Sequence, residues 1–551
     1  MKTLKILCTI GLIFWTTSCN DFLTEDPKGR LSSVYFYSSA ADLDIALNAM
    51  YFNVALNMIA NNYIGTNLLA GDDITTHPAF NKDPLREYDQ YEVYDNNAWM
   101  PTMWEYLWRT VKCANFIING AGKTPEVSDE EIRYVVAQAS YWRAYAYFYM
   151  VRTWGPVPIM LEEQIDYHAP LNTVEEIYDL IVSDLKIAEG APVNYTRAPY
   201  LVNGRNRAVT QAAAKATLAY VYMTMAGWPL NKGVEYYQLA AAKAKEVIDG
   251  VDNRTYNYEL LDEYWKVWSI TYNNDHPEAV LAVYYTRDLG MNSHTGVSPD
   301  FLFDMKQGGW GDTHGEIKFW KEFPDGPRKE ASYFPKIMLM DENLYDWWQD
   351  FPEAPREVVA PCFMKAVEGA DRGAEFDYAD PRPVPDTGEK SRKIVLLSEV
   401  YCWYAEAVGR SGQTNAQAIE VLNKVRNRAD GFGAVADRST VGVPSTPHVA
   451  EYVNKYPASM SANELAEAAY NEHGWEIAGY YWGCVAPRYW DMFRMNRVKD
   501  HFEYRKLNPM IEVAPGVFLN ERVPIRISSW DDSRMYVPYP SMDKELNPNL
   551  K

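Results

Sequence analysis

Five tryptophans lie outside any helical stripe. Trp310 and Trp320 fall in "QGGWGDTHGEIKFW", Trp347 and Trp348 in "DENLYDWWQDFPEAP", and Trp99 in "DNNAWMP". The residues around them are the Gly, Pro, Asp and Asn that make turns. An indole offers a flat apolar face and a single N–H donor. In such a setting it either anchors a loop to the core or stays open as a stacking platform for a ligand. Asp312, Asn292 and Arg328 are close enough in sequence to supply acceptors and donors beside such a platform. Trp142, by contrast, keeps helical periodicity and reads as core.

Covalent chemistry finds less support. The eight histidines include no H-x-x-x-H pair and no H-E-x-x-H, so no zinc-site spacing is present. There is no G-x-S-x-G and no phosphate loop. A glycosidase needs only two carboxylates across a bond, and 74 acidic residues leave that possibility formally open. Asp72 and Asp73 in "GDDITTH" could ligate calcium or bond a turn, and the turn is the commoner use. Neither a metal nor a cofactor is expected, and the chain does not read as an enzyme.

One cysteine has a different chemistry. "MKTLKILCTIGLIFW" begins with Lys2 and Lys5 and continues as a short apolar run, too short to span a bilayer. Charge followed by a short apolar core is the build of a secretory signal. It ends in "TTSC", so residues 1–18 resemble a bacterial lipoprotein signal, with Cys19 as the lipidated first residue of the mature chain. Thr16 stands where an aliphatic residue is commoner in such signals. Cys113, Cys362, Cys402 and Cys484 are widely spaced with no C-x-x-C; they read as buried free thiols, with disulfide pairing the alternative. A net charge of −21 repels phosphate backbones and excludes nucleic acid as a natural partner.

Helices must position these residues. Ser or Thr followed three residues later by Glu or Gln marks helix starts at 129–153 (Ser128, Glu131), 174–189 (Thr173, Glu176), 415–429 (Thr414, Gln417) and 462–481 (Ser461, Glu464). Apolar stripes follow each start. Arg143 sits inside one of them and needs a buried acid, with Glu406 and Glu476 as candidates. Arg488, Asp491 and Arg494 share one helix face and read as a structural ion network. The helices also come in pairs. "AVTQAAAKATLAYVYMTMAG" precedes "VEYYQLAAAKAKEVIDG", and "VLLSEVYCWYAEAVGRSG" precedes "TNAQAIEVLNKVRNRAD". Small residues at crossings and Gly in the turns follow the logic of tetratricopeptide-like hairpins. The expected fold is mainly α: a hairpin scaffold over 35–250 and 395–500, with a loop-rich insert at about 250–395 carrying only short strands.

Several blocks then share a family resemblance. "YWRAYAYFYMVRTWGPVPIM" (141–160) resembles the R-A-Y-x-Y-F-x-L-x-R-x-x-G-x-V-P block of SusD-like (SusD/RagB) outer-membrane lipoproteins. Arg143, Ala144, Tyr145, Tyr147, Phe148, Arg152, Gly155, Val157 and Pro158 carry the match. "EVYCWYAEAVGRSGQTNAQAIEVLNKVRNRA" (399–429), "NEHGWEIAGYYWGCVAPRYWDMFR" (471–494), the "YVPYPSMDKELNPNL" ending and the "CNDFLTEDPKG" head are similar to further blocks in the same order. His473, where an Arg is usual, and the extended "YYWGCVAP" depart from the pattern. The resemblance covers almost the whole mature chain, 19–551, as a single domain.

The resemblance implies a lid over a SusC-like TonB-dependent transporter. Such a lipoprotein, anchored on the cell surface, captures oligosaccharides, or in some members peptides, and delivers them for uptake. A sugar's C–H face can stack on an indole, which makes Trp310 and Trp320 the leading ligand residues. Trp99, Trp347 and Trp348 follow, with Asp312, Asn292 and Arg328 as hydrogen-bonding partners. The competing readings are a peptide-capturing lid, a tetratricopeptide adaptor that binds only proteins, and a secreted glycoside hydrolase.

Overall fold

The computed structural model describes residues 36–57, 67–269, 272, 276–285, 293–294, 312–334, 336–338, 343–349, 360–365, 387–388, 390–432, 451–480 and 483–551. Among them helices dominate. In chain order they are α1 (Ala40–Asn57), α2 (Asp83–Asp89), α3 (Met100–Gly120), α4 (Asp129–Thr153), α5 (Val174–Ala188), α6 (Gln211–Ala226), α7 (Val234–Asp252) and α8 (Tyr264–Trp268). Then come α9 (Ile317–Glu322), α10 (Pro327–Ser332), α11 (Leu397–Arg410), α12 (Ala416–Ala429), α13 (Ala462–Ile477), α14 (Arg488–Arg494), α15 (Val498–Leu507) and α16 (Ser541–Leu546).

The strands are short and occur as antiparallel pairs. β1 (Ile74–Thr76) pairs with β5 (Thr313–Gly315), β2 (Leu201–Val202) with β3 (Arg205–Asn206), β4 (Ala279–Val283) with β6 (Arg392–Leu396), and β7 (Ile511–Ala514) with β8 (Val517–Leu519). Arg392 faces Val283 in the β4–β6 ladder. The chain thus leaves the scaffold after β4 and rejoins it at β6, which runs straight into α11.

Local signals set several of the long helix starts. Ser128 accepts from Glu131 N, and Thr173 and Ser461 form reciprocal capping boxes with Glu176 and Glu464. The start expected at Thr414 moves by one residue: Asn415 is the cap and accepts from Ala418 N at 2.8 Å. The helix expected to reach 481 stops at Ile477, because Gly479 adopts φ +67° and donates its N–H to buried Asp73 at 2.7 Å. A Cβ there would meet the Phe363 ring at 2.5 Å, so both the turn and the contact require glycine.

Helix α4 is the axis of the scaffold, with every residue from Ala137 to Thr153 buried. Its small residues let α3 and α5 approach, while its tyrosines carry polar tips that must be satisfied. Tyr145 and Tyr149 donate to the carbonyls of Gly483 and Cys484 at 2.7 and 2.9 Å. Arg152 donates to Val485 O at 2.8 Å and lies between the Phe148 and Trp490 rings. The central family block is therefore a dock for the returning C-terminal segment. Arg143 pairs with neither Glu406 nor Glu476. Asp184 on the adjacent α5 takes its guanidinium at 2.8 and 2.7 Å, and Asn115 accepts at 2.9 Å.

The acids expected near Arg143 serve other arginines. Arg494 holds Glu406 and Asp491, Arg488 holds Asp72, and Arg428 joins Glu278 to Glu476. Asp72 and Asp73 thus work as turn and ion-pair acceptors. Cys113, Cys362, Cys402 and Cys484 are free thiols, the last three buried. A smaller apolar core, Ile317, Phe334, Ile337, Trp347, Met364 and Val513 among it, sits under α9 and the β7–β8 hairpin. No helix among the described residues is long and apolar enough to cross a membrane.

Candidate functional site

The β1–β5 ladder creates the most unusual surface feature. Thr75 faces His314 and Thr76 faces Thr313, and His77 N then donates to Asp312 O at 3.0 Å. Asp89 fixes this end, accepting from Thr75 Oγ1, Thr76 N and Thr76 Oγ1 at 3.2, 3.3 and 2.8 Å and from Arg505 Nη1 at 3.0 Å. Beyond His77 the chain turns. Ala79 N bonds His77 Nδ1 at 2.9 Å, Arg86 bonds the carbonyls of His77 and Ala79, and Lys82 pairs with Asp312. These bonds hold Phe80 with 89 % of its surface exposed. Leaving a phenyl ring in water forgoes roughly 1.5–3 kcal/mol of burial. A clamped turn that presents one can serve as a stacking platform.

Below the platform lies His314, buried, with both ring nitrogens lacking a partner among the described residues. Burial, with His77 and Lys82 alongside, pushes its imidazole down to about 3, so it stays neutral. Burial also raises the Asp312 carboxyl, against the pull of Lys82.

The predicted residues divide into separate groups. Trp320 on α9 meets Trp347 edge-on at 5.0 Å and Trp348 at 5.8 Å, and Trp347 meets Trp348 at 5.3 Å. Glu521 fixes the start of α9 by accepting from Ile317 N and Lys318 N at 2.9 and 2.8 Å. Lys329 Nζ lies 4.3 Å from the Trp320 ring centre, covering one face. Trp347 is buried, so Trp348 and the uncovered side of Trp320 reach the surface.

Trp99 lies apart from this group, half-buried at the start of α3, with its backbone N–H donating to Asn97 Oδ1 at 3.0 Å. Asp312 is committed to Lys82 beneath the Phe80 turn. Arg328 is 2 % exposed, with Nη1 at 2.6 Å from Glu472 and 2.9 Å from Glu476. Trp310, Asn292 and Cys19 lie outside the described residues. Trp310 stands two positions before Asp312 in the sequence, and the Asp312 carbonyl accepts from His77 N.

Sequence reasoning missed Phe80. Its stretch, "HPAFNKDP", contains no tryptophan. The signal was an aromatic residue between two prolines in a turn-rich stretch, the setting already used to single out Trp310. Among the described residues no group of His, Cys, Asp and Glu side chains is arranged to hold a metal ion.

A hairpin scaffold with exposed aromatics carried on loops defines a class of helical proteins, and comparison with known proteins places the chain within it. Residues 21–223 match a family model described as "Starch-binding associating with outer membrane", and residues 385–551 match one described as "SusD family". Together they account for about two thirds of the sequence, and neither spans 224–384, where the insert lies. The chain belongs to the SusD-like family.

A "SusD-like protein" of Bacteroides ovatus is 24 % identical over 99 % of this chain and 96 % of its own length. Another from Formosa agariphila is 24 % identical over 94 % of each. A solved structure containing a xylogluco-oligosaccharide aligns with a TM-score of 0.66 at 21 % identity, covering 92 % of this chain and 98 % of that one. A "Laminarin binding SusD-like protein" aligns at 0.64 and 17 % identity, covering 93 % and 98 %. These structures share the fold.

Proposed function

We propose that this protein is a cell-surface, lipid-anchored glycan-binding protein of the outer membrane. It captures oligosaccharides and passes them to a partner TonB-dependent transporter, performing no chemistry on them. The observation that carries the reading is Phe80, held almost fully exposed on a turn clamped by Arg86 and by the Lys82–Asp312 pair, in a chain of this family. Solved relatives of the same fold contain a xylogluco-oligosaccharide or are described as binding laminarin, which supports a saccharide as the ligand class. We assign Phe80 and Trp310 as stacking platforms and Asn292 as a hydrogen-bonding partner. Trp320 and Trp348 form an outlying aromatic surface. Asp312 supports the Phe80 turn through Lys82, Trp347 packs beneath Trp320 and Trp348, Arg328 ties α10 to α13, and Trp99 anchors α3.

Calorimetric titration with a panel of plant and host oligosaccharides tests the assignment. We expect dissociation constants between roughly micromolar and millimolar, about −8 to −4 kcal/mol. One sugar face on one phenyl face hides on the order of 80 Å² of apolar surface, about 2 kcal/mol at 25 cal/mol per Å². Phe80→Ala and Trp310→Ala should each weaken binding by about 30-fold without changing the melting temperature. Folded variants that bind like wild type would remove these residues from the site. A wild type that binds peptides and no glycan would make the protein a peptide-capturing lid.

A further inference from the structure

A second concavity lies on elements that carry none of the Phe80 platform. It is a groove of about 700 Å³ between α1, the β2–β3 hairpin and the end of β4. That volume is within the usual range for small-ligand sites. Its walls are aromatic. Tyr51 and Phe52 come from α1, Tyr200 precedes β2, and Tyr284 and Tyr285 follow β4. Three hydroxyls are already bonded: Tyr51 to Gln138 Oε1 at 2.8 Å, Tyr285 to Ala55 O at 3.0 Å, and Tyr200 to Asp44 Oδ1 at 2.5 Å. With their polar tips anchored in the fold, these rings are fixed as walls, and Phe52 stands 53 % exposed at the lip. Arg207 lies 3.7 Å from the Tyr284 ring centre, and the exposed amides of Asn48 and Asn203 complete the rim.

The groove does not end at Tyr200. That residue also lines a neighbouring cavity of about 420 Å³, and α1 supplies both: Asp44 and Leu47 to the smaller cavity, Asn48, Tyr51 and Ala55 to the larger. These residues form one face of one helix, so the two cavities lie side by side along about 16 Å of it at 1.5 Å per residue. The far compartment is acidic. Asp44, Glu130 and Glu131 line it against Arg197, whose Nη2 is 3.5 Å from Asp44 and 3.8 Å from Glu131.

We propose that this cleft is a second saccharide site, and that its acidic end makes it selective for uncharged oligosaccharides over uronate- or sulfate-bearing ones. Fixed aromatic walls suit the C–H faces of pyranose rings, and the exposed rim amides of Asn48 and Asn203 suit their hydroxyls. An anionic sugar that reached past Tyr200 would meet three carboxylates and one guanidinium at the surface, where repulsion acts within about a Debye length. The proposal rests on the reading that the chain binds glycans and adds a site to it.

The probes are a neutral xyloglucan heptasaccharide, laminarihexaose and an oligogalacturonide of similar length. We expect wild type to bind a neutral probe at two sites per chain. The double variant Phe80→Ala with Trp310→Ala should retain one site. Adding Phe52→Ala, an exposed position that leaves the fold intact, should weaken that remaining site at least tenfold, and Asn48→Ala provides an independent second lesion. Glu130→Gln with Glu131→Gln should strengthen oligogalacturonide binding several-fold at low salt and leave the neutral probes unchanged. Binding by wild type that disappears entirely in the Phe80/Trp310 double variant would overturn the second site and leave the glycan reading intact. No binding of any glycan by wild type would overturn both.

Discussion

Replacing Arg328 with methionine separates a structural role from a ligand role at a position where sequence reasoning chose the ligand. The guanidinium joins α10 of the insert to α13 of the scaffold through Glu472 and Glu476, both carboxylates fully buried. Although burial disfavours the charged guanidinium, the two carboxylates outweigh it and hold the proton more tightly than in water. Methionine fills most of the volume but leaves buried negative charge. Breaking a buried pair from one side costs about 3–5 kcal/mol. Glu476 keeps Arg428 and Glu472 keeps the Tyr456 hydroxyl, which places the expected cost near the lower end of that range. At roughly 2.1 cal/mol/K per residue, the mature chain has an unfolding entropy of about 1.1 kcal/mol/K, so the melting temperature should fall by about 3–4 °C. Scanning calorimetry measures that fall, and glycan titration of the folded variant should give a dissociation constant within about threefold of wild type. A variant that melts with wild type but has lost glycan binding would refute the reasoning and return Arg328 to the ligand site.

Three further outcomes follow from the same geometry. His473 is buried with Nδ1 on Asp491 at 2.5 Å and Nε2 at 3.3 Å from Glu399; burial lowers its pKa, but the two carboxylates more than reverse this and raise it to about 9. Its contribution, up to about 3 kcal/mol, is complete below the unfolded value near 6.5 and is lost as pH rises through 9; urea unfolding at pH 7 and 10 should show the loss in wild type and much less of it in His473→Gln. Gly227→Ala would place a Cβ 2.0 Å from Arg494 O, backbone against backbone, where Trp228 N bonds that carbonyl at 2.9 Å; we expect about 3 kcal/mol of destabilisation, seen as a lower urea midpoint. Cys19→Ala should release the protein from the membrane fraction, since stable attachment through acyl chains requires the residue that carries them.

Much of the scaffold was legible because its signals are local. The capping boxes at Thr173 and Ser461 depend on residues three apart, and both form as read. The paired alanine-rich helices became α6 and α7 for the same reason: small residues and a Gly turn specify a close antiparallel neighbour without further information. The errors arise where distant chain decides. The apolar pattern past Ile477 continues through Ala478 and Tyr480, yet the helix ends because Asp73 captures Gly479 N from some four hundred positions earlier. Arg143 found Asp184 on the next helix instead of the acids of the C-terminal half, which Arg494, Arg328 and Arg428 had already claimed.

The candidate site was less legible because turn-rich sequence identifies a loop but not which way its side chains face. Arg328, Asp312 and Trp347 share such sequence with Trp348, yet the first three are buried and only Trp348 stays partly open. An arginine in a loop has no sequence mark that distinguishes a ligand contact from a strut, since both uses require the same donors. What distinguishes them is whether carboxylates of the scaffold are already waiting. Glu472 and Glu476 lie one turn apart on α13, inside the block that resembles the family. A buried acid pair of that kind demands a cation from elsewhere in the chain, because two bare carboxylates in an apolar interior cost several kcal/mol each. Arg428 of the scaffold answers Glu476, Arg328 of the insert answers both acids, and through Arg328 the insert is held to the scaffold. The acid pair on α13 therefore constrains how the insert is seated, whereas the fold does not require burial of the exposed aromatics.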